Sequence, residues 1–494
     1  MAEENEAIEK CRRHVDSLLK EKGHAELKET SYPSNSLNFL HGPNATPSTQ
    51  PITLPNTSSF LPPPQASIKL KILIAGAGLG GLATAIALRL RGHTITVFEK
   101  ALELGEVGAG IQIPPNSSRL LLSWGLGPYL QELATEPEAI RMRRWQNGEV
   151  ISLTRLKPGF RERFGAPYYV VHRANLQISM YKRALELGVD VRVGKGVKGY
   201  DGGRARVVLE NGEVCEGDLV VAADGIRSEA RRVVLGGVDQ APQKPGYAAY
   251  RAMVDVELMK GDPDVEWLLE SPGQNLWVGN QRHVMTYTIA NNKSFNMVLS
   301  HPEDSDPSTW NQATVIEDMQ QHFKEWDPRL VKVINMIRTT LKWPLLSGKP
   351  LYNWISSSGT LLILGDAAHP MVPYMSEGAA MAVEDGAALA EILSLVESPA
   401  QISDALKVFE RVRILRAGQM QEASLVNGKL WHFPDGPEQR ARDAAMKPDV
   451  DGVRVGESAN QWSDEMTAAW AYGYDAEVEA RRAWIDSQSR SSRL

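Results

Sequence analysis

The chain is short of cysteine. Cys11 and Cys215 are the only two among 494 residues, so neither a disulfide framework nor a cysteine-rich metal site can be assembled. That usage suits a reducing compartment, and a cytoplasmic protein is expected. The ten histidines are scattered, without HExxH or a comparable pair, and no metal is expected. No block of like charges occurs, and the net charge of -6 argues against a nucleic-acid role, because phosphate binding needs a basic face. The acidic start, "MAEENEAIEK", resembles neither a secretory signal nor a transit peptide. The uncharged stretch 72–88 could be mistaken for a membrane span, but it carries a turn-like cluster of glycines. No other long apolar run exists, so no membrane span is expected. Internal repeats are also absent.

What is present reads in blocks. Ile8, Cys11, Val15 and Leu18 fall at helical spacing, which predicts an amphipathic helix over 3–21. Residues 30–66 are rich in Pro, Ser, Thr and Asn and cannot bury a core, so they read as linker. Residues 1–66 are therefore expected to form a flexible extension. From 67 onward, "KILIAGAGLGGLATAIALRLRGHTITVFEK" reads strand, glycine turn, helix, strand. A helix is expected over 174–187 and several strands over 189–223, with Asn211-Gly212 as a two-residue hairpin turn. "DLVVAADG" is a short buried strand ending in Asp-Gly. Residues 245–345 hold aromatic strand-like pieces and one helix near 313–324. "TLLILGDAAHP" returns to buried-strand character, and a long helix is expected from Gly378 to Ser394. Buried strands with glycine ends thus appear early, midway and late, with a more aromatic segment between the second and third. That order predicts an α/β protein: a Rossmann-like domain (67–242 and 351–398), an inserted, mostly antiparallel substrate domain (243–350) and C-terminal helices (399–494).

Gly76, Gly78 and Gly81 make G-x-G-x-x-G directly after a strand and at the start of a helix. The first glycine permits a tight turn, the second lets backbone approach a pyrophosphate, and the third lets the helix pack on the strand. The helix N-terminus offers free N–H groups and partial positive charge to the phosphates. Glu99 ends the next strand, where a carboxylate accepts hydrogen bonds from a ribose 2′-OH and repels a 2′-phosphate. That favours NAD or FAD. The competing reading is a fold that keeps the turn and binds nothing. "GDAAHP" arrives far downstream of the point where an NAD dehydrogenase usually completes its nucleotide site. Asp366 at a strand end can hydrogen-bond a polyol, and FAD has one in its ribityl chain. The helix opening at Gly378-Ala379-Ala380 would aim amides at the flavin, where negative charge develops on reduction.

Together with "IAGAGLGGL", "GEVGAGIQIPPNSSRLL", "VHRANLQ", "VAADGIRSEAR", "AAYRAMV", "LGDAAHPMVPYMSEGAAMAVEDGAALA" and "HFPDGPEQRARD", these residues resemble the single-component (class A) FAD-dependent aromatic monooxygenases, salicylate-hydroxylase-like branch, of the type found in fungal secondary metabolism. The resemblance implies that Gly76, Gly78, Gly81 and Glu99 hold the ADP half of FAD. It implies that the Gly108-Ala109-Gly110 turn lies beside the flavin and that Arg173 reaches the phosphate or ribityl region. Asp224 matches an Asp-Gly motif associated with FAD and NAD(P)H. Gly365 and Asp366 bind ribityl and pyrophosphate, and Ala379 sits at the flavin-facing helix start. One departure stands out: relatives often carry Ala-Gln-Gly where this chain has Ser376-Glu377-Gly378. A carboxylate there would oppose an anionic reduced flavin if it pointed inward, or it faces solvent.

The resemblance further implies NAD(P)H- and O2-dependent hydroxylation of an aromatic small molecule (a phenol, polyketide or indole) through a flavin C4a-hydroperoxide. Such a ring is more nucleophilic when deprotonated, and a nearby cation or donor stabilises that form. Arg251 and Tyr287 are the catalytic candidates. The bland alternatives are an inter-strand ion pair for Arg251 and packing for Tyr287. His283 and Tyr250 stand in reserve, each read first as structural, and His369 is either a flavin neighbour or a hydrogen-bonded turn residue. Competing functions are epoxidation or oxidative rearrangement on the same cofactor, or flavin binding without turnover. A flavin halogenase is disfavoured for want of WxWxIP. The substrate, the choice of NADH or NADPH and the oligomeric state are left open by the sequence.

Overall fold

The computed structural model describes residues 63–105, 109–270, 272–289, 293–453 and 457–491. The helix expected over 3–21, nearly all of the 30–66 linker, and Gly108 lie outside the described residues. In chain order the strands are β1 (Lys71–Ala75), β2 (Thr94–Phe98), β3 (Gly110–Ile113), β4 (Ala139–Arg144), β5 (Val150–Arg155) and β6 (Tyr169–His172). Then come β7 (Asp190–Arg192), β8 (Val197–Asp201), β9 (Arg206–Leu209), β10 (Val214–Glu216), β11 (Leu219–Ala222) and β12 (Tyr247–Asp255). The last are β13 (Gln274–Gly279), β14 (Arg282–Ile289), β15 (Ser294–Pro302), β16 (Thr340–Pro344) and β17 (Leu361–Ile363).

A parallel sheet runs β17-β11-β1-β2-β7. Its strands are short apolar runs: "KILIA" is buried at every position but its first and "LVVA" throughout, as expected where both faces of a parallel sheet are covered. β17 enters this sheet beside β11, which is why the "GDAAHP" turn sits near the fingerprint although most of the chain separates them. The helices Leu79–Leu90 and Gly378–Ser394 cover one side and pack closely through small residues. A Cβ on Gly386 would come within 2.8 Å of the Thr84 Cα, and one on Gly80 within 3.1 Å of the Ala382 Cβ. The expected Gly378–Ser394 helix has those bounds.

The second sheet runs β16-β12-β15-β14-β13-β4-β5, antiparallel except where β13 meets β4. It is not confined to the 243–350 segment: β4 and β5 come from far earlier in the chain and extend it beyond β13. One face carries Tyr250, Trp277 and Phe295 beneath the helices Val315–Phe323 and Pro328–Ile334. The other carries Leu276, Met285 and Tyr287 and packs on residues 372–375 and the helix Ile402–Trp431. The C-terminal region is helical as expected (Pro437–Asp451, Glu465–Tyr472, Ala476–Ser491). It is tied to the sheet by Arg144–Asp435 (2.7 Å) and by Asn460 Nδ2 donating to Ser152 Oγ (2.8 Å).

One turn differs from expectation. The β9–β10 connection is a three-residue loop, Glu210-Asn211-Gly212, not a two-residue Asn-Gly turn. Gly212 N donates to Leu209 O, Leu209 N to Glu213 O, and only Gly212 adopts positive φ (+85°). A type I′ turn needs positive φ at both central residues. Here an ordinary turn is followed by a left-handed glycine, the three-residue hairpin form.

Inside the Gly378–Ser394 helix, Glu384 and Asp385 are fully buried. Arg413 donates to Glu384 (2.7 Å) and Asp385 (2.8 Å), and Arg416 to Glu384 (3.0 Å). Burial works against both carboxylates, but His369 and Arg413 hold Asp385 down at about 2. The two arginines likewise keep Glu384 below its ordinary value. Removing one partner from such a buried cluster leaves uncompensated charge. The Arg413→Met variant is expected to lose about 3–5 kcal/mol of stability in urea unfolding, and a loss below about 1 kcal/mol would mean the cluster does not hold the helices together.

Candidate active site

The fingerprint turn has the geometry its glycines predict. Gly76 has φ +100°, and a Cβ there would lie 2.4 Å from Ala223 O. A Cβ on Gly81 would lie 1.9 Å from Gly76 O, so the helix could not approach the turn. A Cβ on Gly78 would meet nothing within 4 Å. Two of these glycines therefore serve the fold, and the third leaves open space beside a helix N-terminus. Glu99 stands beside this turn: its Oε2 accepts from Ala77 N (2.8 Å) and its Oε1 from Ala101 N (2.8 Å). Gln177, on the helix Arg173–Glu186, donates from Nε2 to Ala77 O (2.9 Å) and accepts at Oε1 from Gly105 N (3.3 Å). It clamps the turn from the other side.

Ala75, Ala222 and Ile363 are paired across β1, β11 and β17, so Gly76, Asp224 and Gly365 all leave the carboxyl edge of one sheet. Gly365 has φ +60°, and its N–H donates to Asp385 Oδ2 (3.0 Å). The Ala382 Cβ touches the space beside both Gly80 and Gly365, so the two glycine turns share one neighbour. Asp366 is exposed while Gly365 and Ala367 on either side are buried, which leaves a strand-end carboxylate free to meet a ligand. Ala379 is half-buried in the first turn of its helix. Asp224 accepts from Tyr200 OH (2.9 Å) and Ala230 N (3.3 Å) through Oδ2, and its buried Oδ1 has no partner.

His369 is not a site residue in this structure. It is buried, its Nε2 lies 2.6 Å from Asp385 Oδ2, and its ring lies against Trp354. Its placement follows from Asp385, which uses one oxygen for both the histidine and the Gly365 amide. Glu377 does not face solvent either. It is 1% exposed, and Asn116 Nδ2 donates to it at 2.9 Å.

The second sheet meets the two-stranded ribbon β3-β6 at Gly110. Its N–H donates to Asn296 Oδ1 (2.7 Å), and a Cβ on it would overlap the Tyr287 ring, 2.4 Å from Cε2. Gly110 pairs with His172, and Arg173 N donates to Ala109 O (3.2 Å), so Arg173 begins its helix beside the same turn. Tyr287 pairs with Asn296, and Arg251 with Val298 two positions along. Arg251 and Tyr287 therefore point from one sheet face toward the Gly110 turn. Burial pushes the Tyr287 hydroxyl up, and Arg251 pulls it down. Arg251 is accessible to solvent, yet desolvation and then Arg173 hold it below the usual arginine value. Met253, Leu341 and Trp343, all exposed, belong to the same sheet face around it.

The reserve candidates lie elsewhere. Tyr250 points to the opposite sheet face, donates to Asp318 (2.5 Å) and stacks on His301. His283 lies 2.7 Å from His432 of "HFPDG", and burial lowers it to about 3. Both serve packing. Sequence reasoning missed Gln177, Asn296 and Asn116. Gln177 lies within "VHRANLQ". Asn296 is a fully buried amide within a strand, a residue type strands disfavour.

These features fit FAD: an open glycine turn, two long-helix N-termini, a strand-end carboxylate standing clear of its buried neighbours, and a glycine turn against the second sheet. The sequence matches the family described as FAD binding domain over residues 69–424. It is 37% identical over 412 residues to FAD-dependent monooxygenase OpS4 of Beauveria bassiana, covering 82% of this chain and 95% of that one. It is 33% identical over 407 residues to 3-hydroxybenzoate 6-hydroxylase 1 of Aquipseudomonas alcaligenes, covering 81% and 97%. Among solved structures, FqzB superposes with a TM-score of 0.72 at 28% identity, covering 88% of this chain and 97% of that one. CtdE with FAD and substrate 4 gives 0.71 at 25%, covering 86% and 100%.

The fingerprint glycines separate by experiment. Gly78→Ala is expected to leave the unfolding midpoint of the FAD-free protein near wild type while weakening FAD binding at least tenfold, read by flavin fluorescence. Gly81→Ala is expected to fail at the folding step. A Gly78→Ala variant that binds FAD normally would exclude this loop from the cofactor site.

Proposed function

The chain belongs to the FAD-binding-domain family, and from that premise we propose that it is an NAD(P)H- and oxygen-dependent monooxygenase that hydroxylates an aromatic small molecule. FAD supplies the electron transfer from NAD(P)H and the activation of oxygen. The chain supplies binding, orientation and exclusion of water. Gly76, Gly78, Gly81 and Glu99 receive the adenosine and pyrophosphate end, Arg173, Asp224, Gly365 and Asp366 the middle, and Gly110 and Ala379 the ring end. Arg251 holds the ionised oxygen of the substrate, and Tyr287, kept protonated by burial, donates to that oxygen. The apolar side chains Met253, Leu341 and Trp343 then face the remainder of the ring system. This favours a bulky apolar substrate with one acidic hydroxyl. The inserted sheet carries the substrate and the parallel sheet the cofactor.

The observation that carries this reading is the junction at Gly110, where the cofactor side of the molecule touches Tyr287 and Asn296 of the sheet that bears Arg251. No helix among the described residues is long and apolar enough to cross a membrane, and the two cysteines support a cytoplasmic location.

The reading is tested by NAD(P)H oxidation under air with FAD-loaded protein, with and without phenols, hydroxybenzoates and indoles. Stimulation is expected, with a product heavier by one oxygen. Bound FAD without stimulation across the panel would favour a non-catalytic flavoprotein. Arg251→Met is expected to lower kcat/KM about 100-fold, the loss typical of removing one charge-stabilising donor, and Tyr287→Phe about 10-fold or more. Both should retain stoichiometric FAD. Unchanged kcat/KM in Arg251→Met would remove that residue from the substrate site.

A further inference from the structure

Glu377 stands at the N-cap position of the seventeen-residue Gly378–Ser394 helix, yet its side chain makes no cap bond. It turns inward instead. Asn116 Nδ2 donates at 2.9 Å to Glu377 Oε2 and at 2.7 Å to Glu384 Oε1, so two carboxyl groups share one amide. Glu377 Oε1 is buried with no partner, as is Asn116 Oδ1.

The surroundings decide which of the two carries charge. Glu384 is bonded to both Arg413 and Arg416. Glu377 shares only the amide, with Arg416 acting on it at longer range and Glu384 opposing it. Tyr168, which precedes β6, and Tyr472, on the helix Glu465–Tyr472, also face Glu377, and each is pushed up first by its own burial. Tyr474 faces Glu384 and the arginines. Two carboxylates this close do not both ionise in a buried site unless each has its own cation. Burial raises Glu377 to about 8, with Glu384 adding to the rise and Arg416 and Asn116 opposing it.

We propose that Glu377 is a positioning residue that holds one proton beneath the cofactor-facing end of the Gly378–Ser394 helix, keeping that end free of a fixed negative charge when the bound cofactor becomes anionic. The proposal rests on the FAD reading for its consequence but not for the proton itself. An ionised Glu377 would take up the positive end of the helix dipole and compete with the cofactor's own charge for it. A neutral Glu377 leaves the helix amides to the cofactor. The glutamate thereby does what a glutamine would do at this position at neutral pH, and ceases to do so in alkali.

Three measurements test this, two of them independent of FAD. The unfolded chain releases this proton in the ordinary carboxylate range while the folded protein keeps it to about 8, so Glu377's contribution to stability falls as pH rises from about 4.5 to about 8. The FAD-free wild type should lose stability relative to Glu377→Gln across that window, with a constant gap above it. The infrared carbonyl band of a neutral carboxyl should be stronger in wild type than in Glu377→Gln at pH 8, where Glu477, itself raised to about 7 by burial, is mostly ionised, and the difference should fade by pH 10. With FAD bound, the midpoint potential of wild type should fall more steeply above pH 8 than that of Glu377→Gln. The added slope should approach a tenfold change in the reduction equilibrium per pH unit, about 30 mV for a two-electron couple. Absence of both the stability gap and the carbonyl difference overturns the proton. Their presence with parallel potential slopes overturns its link to the cofactor. Failure to bind FAD overturns the proposed function while leaving the proton intact.

Discussion

The site depends on a buried charge cluster that does not itself face the cleft. Asp385 Oδ2 receives both the Gly365 amide and His369, while its Oδ1 receives Arg413. Glu384 receives Arg413 at Oε2 and both Arg416 and Asn116 at Oε1. Two adjacent carboxylates on one helix thereby fix the strand-end turn of β17, the segment at Asn116 and the long C-terminal helix. A cluster like this is a weak source of net stability, because desolvation offsets much of the attraction. Its value lies in geometry. Each bond has a defined direction, and a shift in the Gly378–Ser394 helix would break several at once.

That constraint explains how segments so remote in sequence form one site. The Gly378–Ser394 helix lies against the fingerprint helix through Gly80, Ala382, Thr84 and Gly386, where larger side chains would clash. Close packing sets the distance between the two helix N-termini, and the charge cluster sets their register. The second sheet meets the β3-β6 ribbon at Gly110, with Asn296 receiving the backbone N–H and Tyr287 lying where a Cβ would be. An alanine at 110 would push the Tyr287 ring away.

Residues whose role follows from backbone geometry were legible in the sequence. The spacing of Gly76, Gly78 and Gly81 dictates a turn that any observer can derive, and the structure gives each glycine a distinct spatial reason. The bounds of the Gly378–Ser394 helix were legible because a glycine opens it and a run rich in Ala, Leu, Met and Glu follows, interrupted only locally by Asp385 and Gly386. Residues whose role depends on what lies across space were not. His369 reads equally as a ligand neighbour or a turn residue until Asp385 is seen beside it. Arg413 and Arg416 look like surface positions on a long, mixed helix. Asn211-Gly212 carries the commonest hairpin signal, yet the loop closes one residue wider, because local turn signals do not set the register of the strands they join. The two strands β4 and β5 join a sheet whose other members begin only at Tyr247, and no local pattern announces that pairing.

Charge is divided along the cleft in a way that ties these elements together. Glu99 and Asp366 stand at strand ends, where hydroxyl groups of a cofactor can donate to them, Asp366 exposed and Glu99 through the lone pairs its two backbone bonds leave. Toward the sheet junction the fixed charges become positive, with Arg173 and Arg251 close enough to depress the latter's proton affinity. A third carboxyl, Glu377, falls on this side, and burial against Glu384 keeps it from adding negative charge there. The same desolvation that weakens the hold of Arg251 on its proton strengthens that of Glu377. A poorly solvated guanidinium at Arg251 and a helix end without a fixed negative charge both favour an anion between Arg251 and the start of the Gly378–Ser394 helix.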